Sequence, residues 1–283
     1  MKAILATAGS AAPKRPICIP DILPARGLTV SEAATHREQR TPKGLFGGCV
    51  LYDEFLFPGV IRDNWQMMDC ERIALTGVLA RIRPRGALEV GVYYGGSLSL
   101  ASQFSEHILA IDIEPEVRNR FRVPANAELL IGDSREMIPR ALARFDELGL
   151  PLEYVLIDAD HSAEGVRRDL NLILQYVPRK PMVILAHDSG NPDCRAGILA
   201  ADWNANPHVH FVQCDFVPGQ IIEHSIHDGQ GEVWGGLALA YLDPEPRSQD
   251  VVVSQGAATA IRGMQFLAKD LSVLWAGSHT AGD

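Results

Sequence analysis

Two short stretches gather the groups able to move a proton or hold a cation. Asp158-Ala159-Asp160-His161 follows the apolar run Tyr154–Ile157, and His187-Asp188-Ser189 follows Val183–Leu185 and Ala186. If the two apolar runs are adjacent parallel strands, three carboxylates and two imidazoles meet on one rim, beyond the strands' carboxyl ends where open sheets bind ligands. Imidazole is the side chain most suited to general base work near neutral pH, and carboxylates hold divalent cations. Together they suit the removal of a proton from a hydroxyl whose oxygen is then held in place. A purely structural reading is also available: Asp160 or Ser162 caps a helix starting at Ala163, and neighbours satisfy the histidines.

A second constellation lies earlier in the chain. Glu89-Val90-Gly91-Val92-Tyr93-Tyr94-Gly95-Gly96-Ser97 reads as a strand ending in an acid, a glycine-rich turn and a helix start. Gly91 allows a sharp turn and close approach to a ligand, and Ser97 is placed to cap the helix. The spacing is neither GxGxxG nor GxxxxGK[ST], and no Lys follows Gly96, so a nucleoside triphosphate site would lack its main phosphate contact. Asp112 ends the next strand, about 20 residues on, at the distance where an acid meets ribose hydroxyls. The third strand ends in Ile131-Gly132-Asp133-Ser134. Each feature alone is weak, because a strand-terminal Asp before a helix is more often a cap; the three together, in this order, are not.

That order, Glu-x-Gly-x-x-x-Gly, then Asp112, then Gly132-Asp133, resembles the class I S-adenosylmethionine-dependent methyltransferases over roughly residues 64–243. The resemblance implies that Glu89 and Gly91 lie beside the methionine moiety, with Tyr94 and Ser97 in the same loop. It also implies that Asp112 binds the ribose and that Asp133 and Ser134 lie near the adenine. The later cluster is similar to the metal-dependent O-methyltransferases, the group containing catechol O-methyltransferase, the macrocin-type sugar enzymes and the cephalosporin hydroxylase-like proteins. In that group an Asp at the end of strand four binds a metal and the base follows three residues later, which matches Asp158, also beside the cofactor, and His161. The ligand pair after strand five is usually acidic or Asp-Asn, and here it is His187-Asp188. Imidazole is a poor partner for Mg²⁺. Either Asp160 supplies the missing oxygen, or the ion is a transition metal, or none binds.

The implied activity is O-methylation of a small-molecule hydroxyl by S-adenosylmethionine, with His161 as base and a divalent metal on Asp158, His187 and Asp188. The acceptor suggested by the resemblance is a natural product or its sugar, then a phenol. Two other readings stay open: a metal-independent methyltransferase with a lone His base, and a non-catalytic nucleoside-binding or interaction protein.

The elements that must position these residues follow from periodicity. Strands are expected at 87–90, 108–113, 127–131, 153–157, 182–186, 209–216 and 233–241, and helices at 64–82, 97–104, 136–148 and 163–177. The alternation predicts an α/β fold: a Rossmann-like, seven-stranded, mostly parallel sheet with a reversed last strand and helices on both faces. The last two strands are joined without a helix, which permits antiparallel pairing. Three segments are expected: 1–64, a strap or lid; 65–243, the methyltransferase domain; and 244–283, an extension opening at Asp243-Pro244-Glu245-Pro246. In the extension Ile261, Met264, Leu267, Leu271 and Leu274 form a stripe suited to docking on the domain or on a second subunit. Tyr52, Trp65, Trp234, His224, His227 and Asp228 are candidates to line an acceptor pocket.

The 283 residues carry 26 Lys+Arg against 35 Asp+Glu, a formal charge of −9. No dense basic run is present to neutralise phosphates, so neither nucleic acid nor an anionic membrane is the expected partner. Cys18, Cys49, Cys70, Cys194 and Cys214 are an odd set without CxxC spacing, as expected in a reducing, cytoplasmic setting. Ala3–Ala6 is too short for the apolar part of a signal peptide.

Overall fold

The structure, a computed structural model, describes residues 56, 57, 60, 65–222 and 232–276. Most of the expected strap, with Tyr52, lies outside the described residues, as do Glu223–Gly231 with His224, His227 and Asp228, and the side chains of Leu271 and Leu274.

Helix α1 (Asp69–Ile82) precedes β1 (Gly86–Val90), α2 (Gly96–Phe104), β2 (His107–Asp112), β3 (Ala127–Ile131), α3 (Ser134–Leu148), β4 (Leu152–Ile157), α4 (Ala163–Ile173) and β5 (Met182–His187). Then come α5 (Pro192–Ala200), β6 (Val209–Val217), β7 (Gln220–Ile222), β8 (Glu232–Trp234), β9 (Leu237–Leu242), β10 (Val253–Ser254) and α6 (Ala258–Ala276). The main sheet has the order β10-β6-β9-β5-β4-β1-β2-β3. β9 runs antiparallel to both β5 and β6, and the other pairings are parallel. The seven expected strands are therefore present with the last one reversed, and β10 adds a two-residue eighth strand from the extension.

The strands are apolar throughout because both faces are covered. Leu88, Val90, Val155, Ile157, Ile184 and Ala186 pack on one side, while Ala87, Tyr154, Leu156 and Leu185 pack on the other, against α1 and α2. This period-2 alternation sends His187, two residues after Leu185, toward the face covered by α1. On α1 the buried positions Glu71, Leu75 and Leu79 recur every four residues and form one stripe. An acid thus occupies a core position opposite His187.

Two expectations are corrected. The run 233–241 is not one strand: Gly235 and Gly236 adopt φ of 69° and 88°, which ends β8 and starts β9. β8 pairs with β7 in a separate two-stranded sheet. The sequence reading also has no helix between β5 and β6, where α5 forms. Asn191 Oδ1 accepts the amides of Asp193 and Cys194, and Pro192 opens the helix at a position that needs no amide donor. The extension returns to the sheet through β10 and through the Ala257 amide, which donates to Asp215 Oδ2 at 2.9 Å, and Ile261 is buried. His208 and His210 contact the carbonyls of Asp243 and Glu245, so they hold this connection and take no part in the rim.

Candidate active site

The glycine-rich turn leaves β1 at Gly91, whose φ is 91° and where a Cβ would run into the Asp158 carbonyl. Only glycine lets the turn lie this close to the β4 end. Tyr93 also has a left-handed φ of 53°, unusual for a bulky side chain. Asp112 holds it there: Oδ2 accepts the amides of Val92 and Tyr93, both at 3.0 Å, while Oδ1 accepts the Glu114 amide at 2.9 Å. The carboxylate expected at a ribose is engaged with three backbone donors, and it joins the first loop to the second.

Its neighbours have similar local tasks. Asp133 caps α3 by accepting the Arg135 amide, and the Arg135 guanidinium lowers its carboxyl to about 2. Ser134 Oγ donates to Asp169 Oδ1 at 2.7 Å. Ser97 is not a cap, because Gly95 occupies that position; its hydroxyl donates to Glu89 Oε1 at 2.7 Å. Glu89 is fully buried and its Oε2 has no hydrogen-bond partner. Burial pushes its carboxyl up to about 8, with the Ser97 hydrogen bond opposing and the charges of Asp158 and Asp112 adding to the rise. Tyr94 lies edge-on to Tyr93 at 4.3 Å, and the Arg120 guanidinium lies over both rings.

At the β4 and β5 ends the side chains face one another. His187 Nδ1 lies 3.0 Å from Asp158 Oδ1 and 3.2 Å from Asp188 Oδ2. His161 Nε2 lies 3.4 Å and 3.3 Å from the same two oxygens, and its ring packs edge-on against Trp234 at 5.7 Å. Asp188 takes a left-handed φ of 55°, which Asp tolerates better than most residues, and its Oδ1 accepts the Gly235 amide at 2.7 Å. Oδ2 is thereby directed to the imidazoles. The backbones cross closely here: a Cβ on Gly236 would meet the Gly219 amide nitrogen at 2.7 Å and Ser189 Oγ at 2.8 Å.

Burial opposes a charge on His187, but Asp158, Asp188 and Glu71 outweigh it and hold the imidazole well above its ordinary pKa. Burial likewise opposes the Asp158 anion, and His187 and His161 overcome it, keeping this carboxyl well below the carboxylate range. The hydrogen bond to Asp158 raises His161, with burial acting the other way. Burial pushes nearby Cys194 up to about 12, so it remains a thiol near neutral pH.

The ligand atoms of Asp158, His187 and Asp188 all lie within 4.8 Å of one another, and two carboxylate oxygens with one imidazole nitrogen form a donor set that fits a divalent cation. Asp160 is not part of it. Its Oδ1 accepts the Ser162 amide at 2.9 Å and its carboxyl packs over Gly165, so it holds the turn into α4, whose cap is Ser162, with Oγ accepting the Gly165 amide at 3.0 Å. Trp65 is buried against Phe57, leaving Trp234 as the aromatic candidate that meets His161 among the described residues.

Sequence reasoning missed Glu71. It is buried, and its Oε1 lies 3.2 Å from His187 Nε2. The available signal was an acid in register with Leu75 and Leu79 on an otherwise apolar stripe.

Residues 88–189, from β1 to just past β5, match the family model of a methyltransferase domain. Over this span the chain is similar to methyltransferase domains. The matched span contains both the glycine-rich turn and the Asp158, His161, His187 and Asp188 cluster, and Glu71 lies outside it. An O-methyltransferase from Bacillus cereus in complex with SAH is 14% identical, covering 63% of this chain and 83% of that one at a TM-score of 0.45. The O-methyltransferase TomG of Streptomyces achromogenes, involved in tomaymycin synthesis and solved with SAM, is 14% identical, covering 76% and 96% at 0.44. A cofactor-bound protein from MTB is 18% identical, covering 69% and 95% at 0.43. Among curated proteins nothing matches the chain. Among the described residues, no helix is long and apolar enough to cross a membrane.

Proposed function

We propose that the protein transfers the methyl group of S-adenosylmethionine to a hydroxyl oxygen of a small molecule. The observation that carries this reading is the position of His161. A partly exposed imidazole nitrogen stands 3.3–3.4 Å from two carboxylates on the same rim as the glycine-rich turn of a methyltransferase domain. His161 takes the hydroxyl proton, and Asp158 and Asp188, which face its Nε2, stabilise the imidazolium that results. Trp234 limits the directions from which an acceptor reaches the His161 ring. At the donor end, the glycine-rich turn after Glu89 approaches the end of β4 closely and is the place for the methionine moiety.

Asp158, His187 and Asp188 would hold a divalent cation, which when bound lowers the pKa of the acceptor hydroxyl and anchors its oxygen. The family resemblance makes a natural product or its sugar the first acceptor class to try, and a phenol the next. Incubation with methyl-labelled donor and a panel of sugar and phenolic acceptors tests the activity. Label in an ether linkage is expected; label on nitrogen or carbon acceptors alone contradicts the reading. Exhaustive chelation is expected to abolish transfer while leaving S-adenosylhomocysteine binding intact, and unchanged turnover would remove the metal from the scheme.

A further inference from the structure

We infer that Glu71 is a positioning residue that fixes His187 with Nδ1 toward Asp158 and Asp188, and so adapts the centre to a borderline first-row divalent cation of the Fe²⁺ to Zn²⁺ class in preference to Mg²⁺. This rests on the metal-bound reading above. The starting point is a violated pattern: the α1 stripe should carry a third apolar residue beside Leu75 and Leu79, and it carries a carboxylate. A buried carboxylate is unfavourable unless paired. Glu71 Oε2 accepts the Met68 amide at 2.6 Å, and Oε1 accepts the Gly236 amide and lies 3.2 Å from His187 Nε2.

His187 therefore sits between acids on both sides. Nδ1 faces the two rim carboxylates, whereas Nε2 is enclosed and has no aligned hydrogen bond, so Glu71 is the acceptor within its reach. A ligand imidazole whose other nitrogen donates to a carboxylate is held in one tautomer and orientation and becomes a better donor to the metal. Imidazole nitrogen suits zinc, iron, nickel and copper, whereas Mg²⁺ selects oxygen. The same carboxylate also fixes the second ligand. It binds the amide of Gly236, and the amide of the preceding Gly235 orients Asp188. One residue of α1, outside the methyltransferase-domain match, thus supports two of the three donors.

Calorimetric titration of the full-length protein with Co²⁺ and with Mg²⁺ tests this, using wild type and Glu71→Gln. Wild type is expected to bind Co²⁺ more tightly than Mg²⁺, and Glu71→Gln to lose about 10–100-fold in Co²⁺ affinity. Its S-adenosylhomocysteine affinity and near-ultraviolet circular dichroism should stay at wild-type values. Equal Co²⁺ affinity in the two proteins overturns the role of Glu71 and leaves the metal reading standing; tighter Mg²⁺ binding overturns the selectivity. Absence of binding for both ions in wild type removes the metal reading and this inference together. Should Glu71→Gln not fold, histidine ¹⁵N spectra of the Zn²⁺-loaded wild type decide: metal on Nδ1 with a retained Nε2 proton supports the assignment, and metal on Nε2 overturns it.

Discussion

At the β1–β2 end of the rim, Asp112 and Asp133 accept from backbone amides, whereas at the β4–β5 end Asp158 and Asp188 face imidazoles. The same residue type, at the same place on successive strands, thus builds a loop in one region and a reactive centre in the other. Burial and partners account for the difference. Asp112 and Asp133 are flanked by turn amides in need of acceptors, while Asp158 and Asp188 meet His187 in a place where neither charge is well hydrated. One end is expected to respond to substitution through the shape of its loop, and the other through charge balance.

The largest effect is expected at His187. His187→Ala leaves Glu71, Asp158 and Asp188 without the imidazole between them, and it should destabilise the protein by about 3–5 kcal/mol, since removing one partner strands the buried charges. Urea unfolding in the presence of chelator measures it; a change close to zero would mean that the cluster is more hydrated than its burial indicates.

Next is Glu89, which joins the two ends electrostatically. The folded protein keeps a proton on this carboxyl up to about 8, while the unfolded chain releases it near its ordinary value of 4.5. The folded state binds more protons through that window, so this contribution to stability falls as pH rises from about 4.5 to about 8. Glu89→Gln should remove a slope of about 1.4 kcal/mol per pH unit, seen as a melting-temperature difference that grows in favour of the variant between about pH 5 and pH 8. Parallel curves for the two proteins would contradict the burial of the charge.

A smaller effect is expected at Asp112. Asp112→Ala frees the Val92, Tyr93 and Glu114 amides and should cost about 1–2 kcal/mol. It should also weaken S-adenosylhomocysteine binding, because Tyr93 then loses the acceptors that hold its left-handed conformation. Calorimetry on the variant checks both, and unchanged ligand affinity would detach the loop from donor binding.

Much of this contrast was legible before the structure. Alternating apolar runs and amphipathic helices declare the parallel sheet, and Asp158, His161, His187 and Asp188 fall at strand ends where period and topology make them converge. Local backbone conformation was harder to read. Gly235 and Gly236 look like strand interior until their positive φ values split β8 from β9, and the Asn191-Pro192 cap signals α5 only once β5 is known to end at His187. Glu71 was hidden for another reason. Its partner is 116 residues away in sequence, and only the packing of α1 on the β5 face brings Oε1 to Nε2. Capping was read correctly at one helix and not at another: Ser97, expected as a cap, supports Glu89, whereas α4 is capped by Ser162, one of the two candidates, with Asp160 holding the turn before it.

Single-turnover methyl transfer by His161→Ala, with labelled donor and a sugar or phenolic acceptor, tests most directly whether the β4–β5 rim moves the proton. A loss of about 10²–10⁴-fold in the transfer rate, with S-adenosylhomocysteine affinity and melting temperature near wild type, is the predicted result. A transfer rate equal to that of wild type would contradict it.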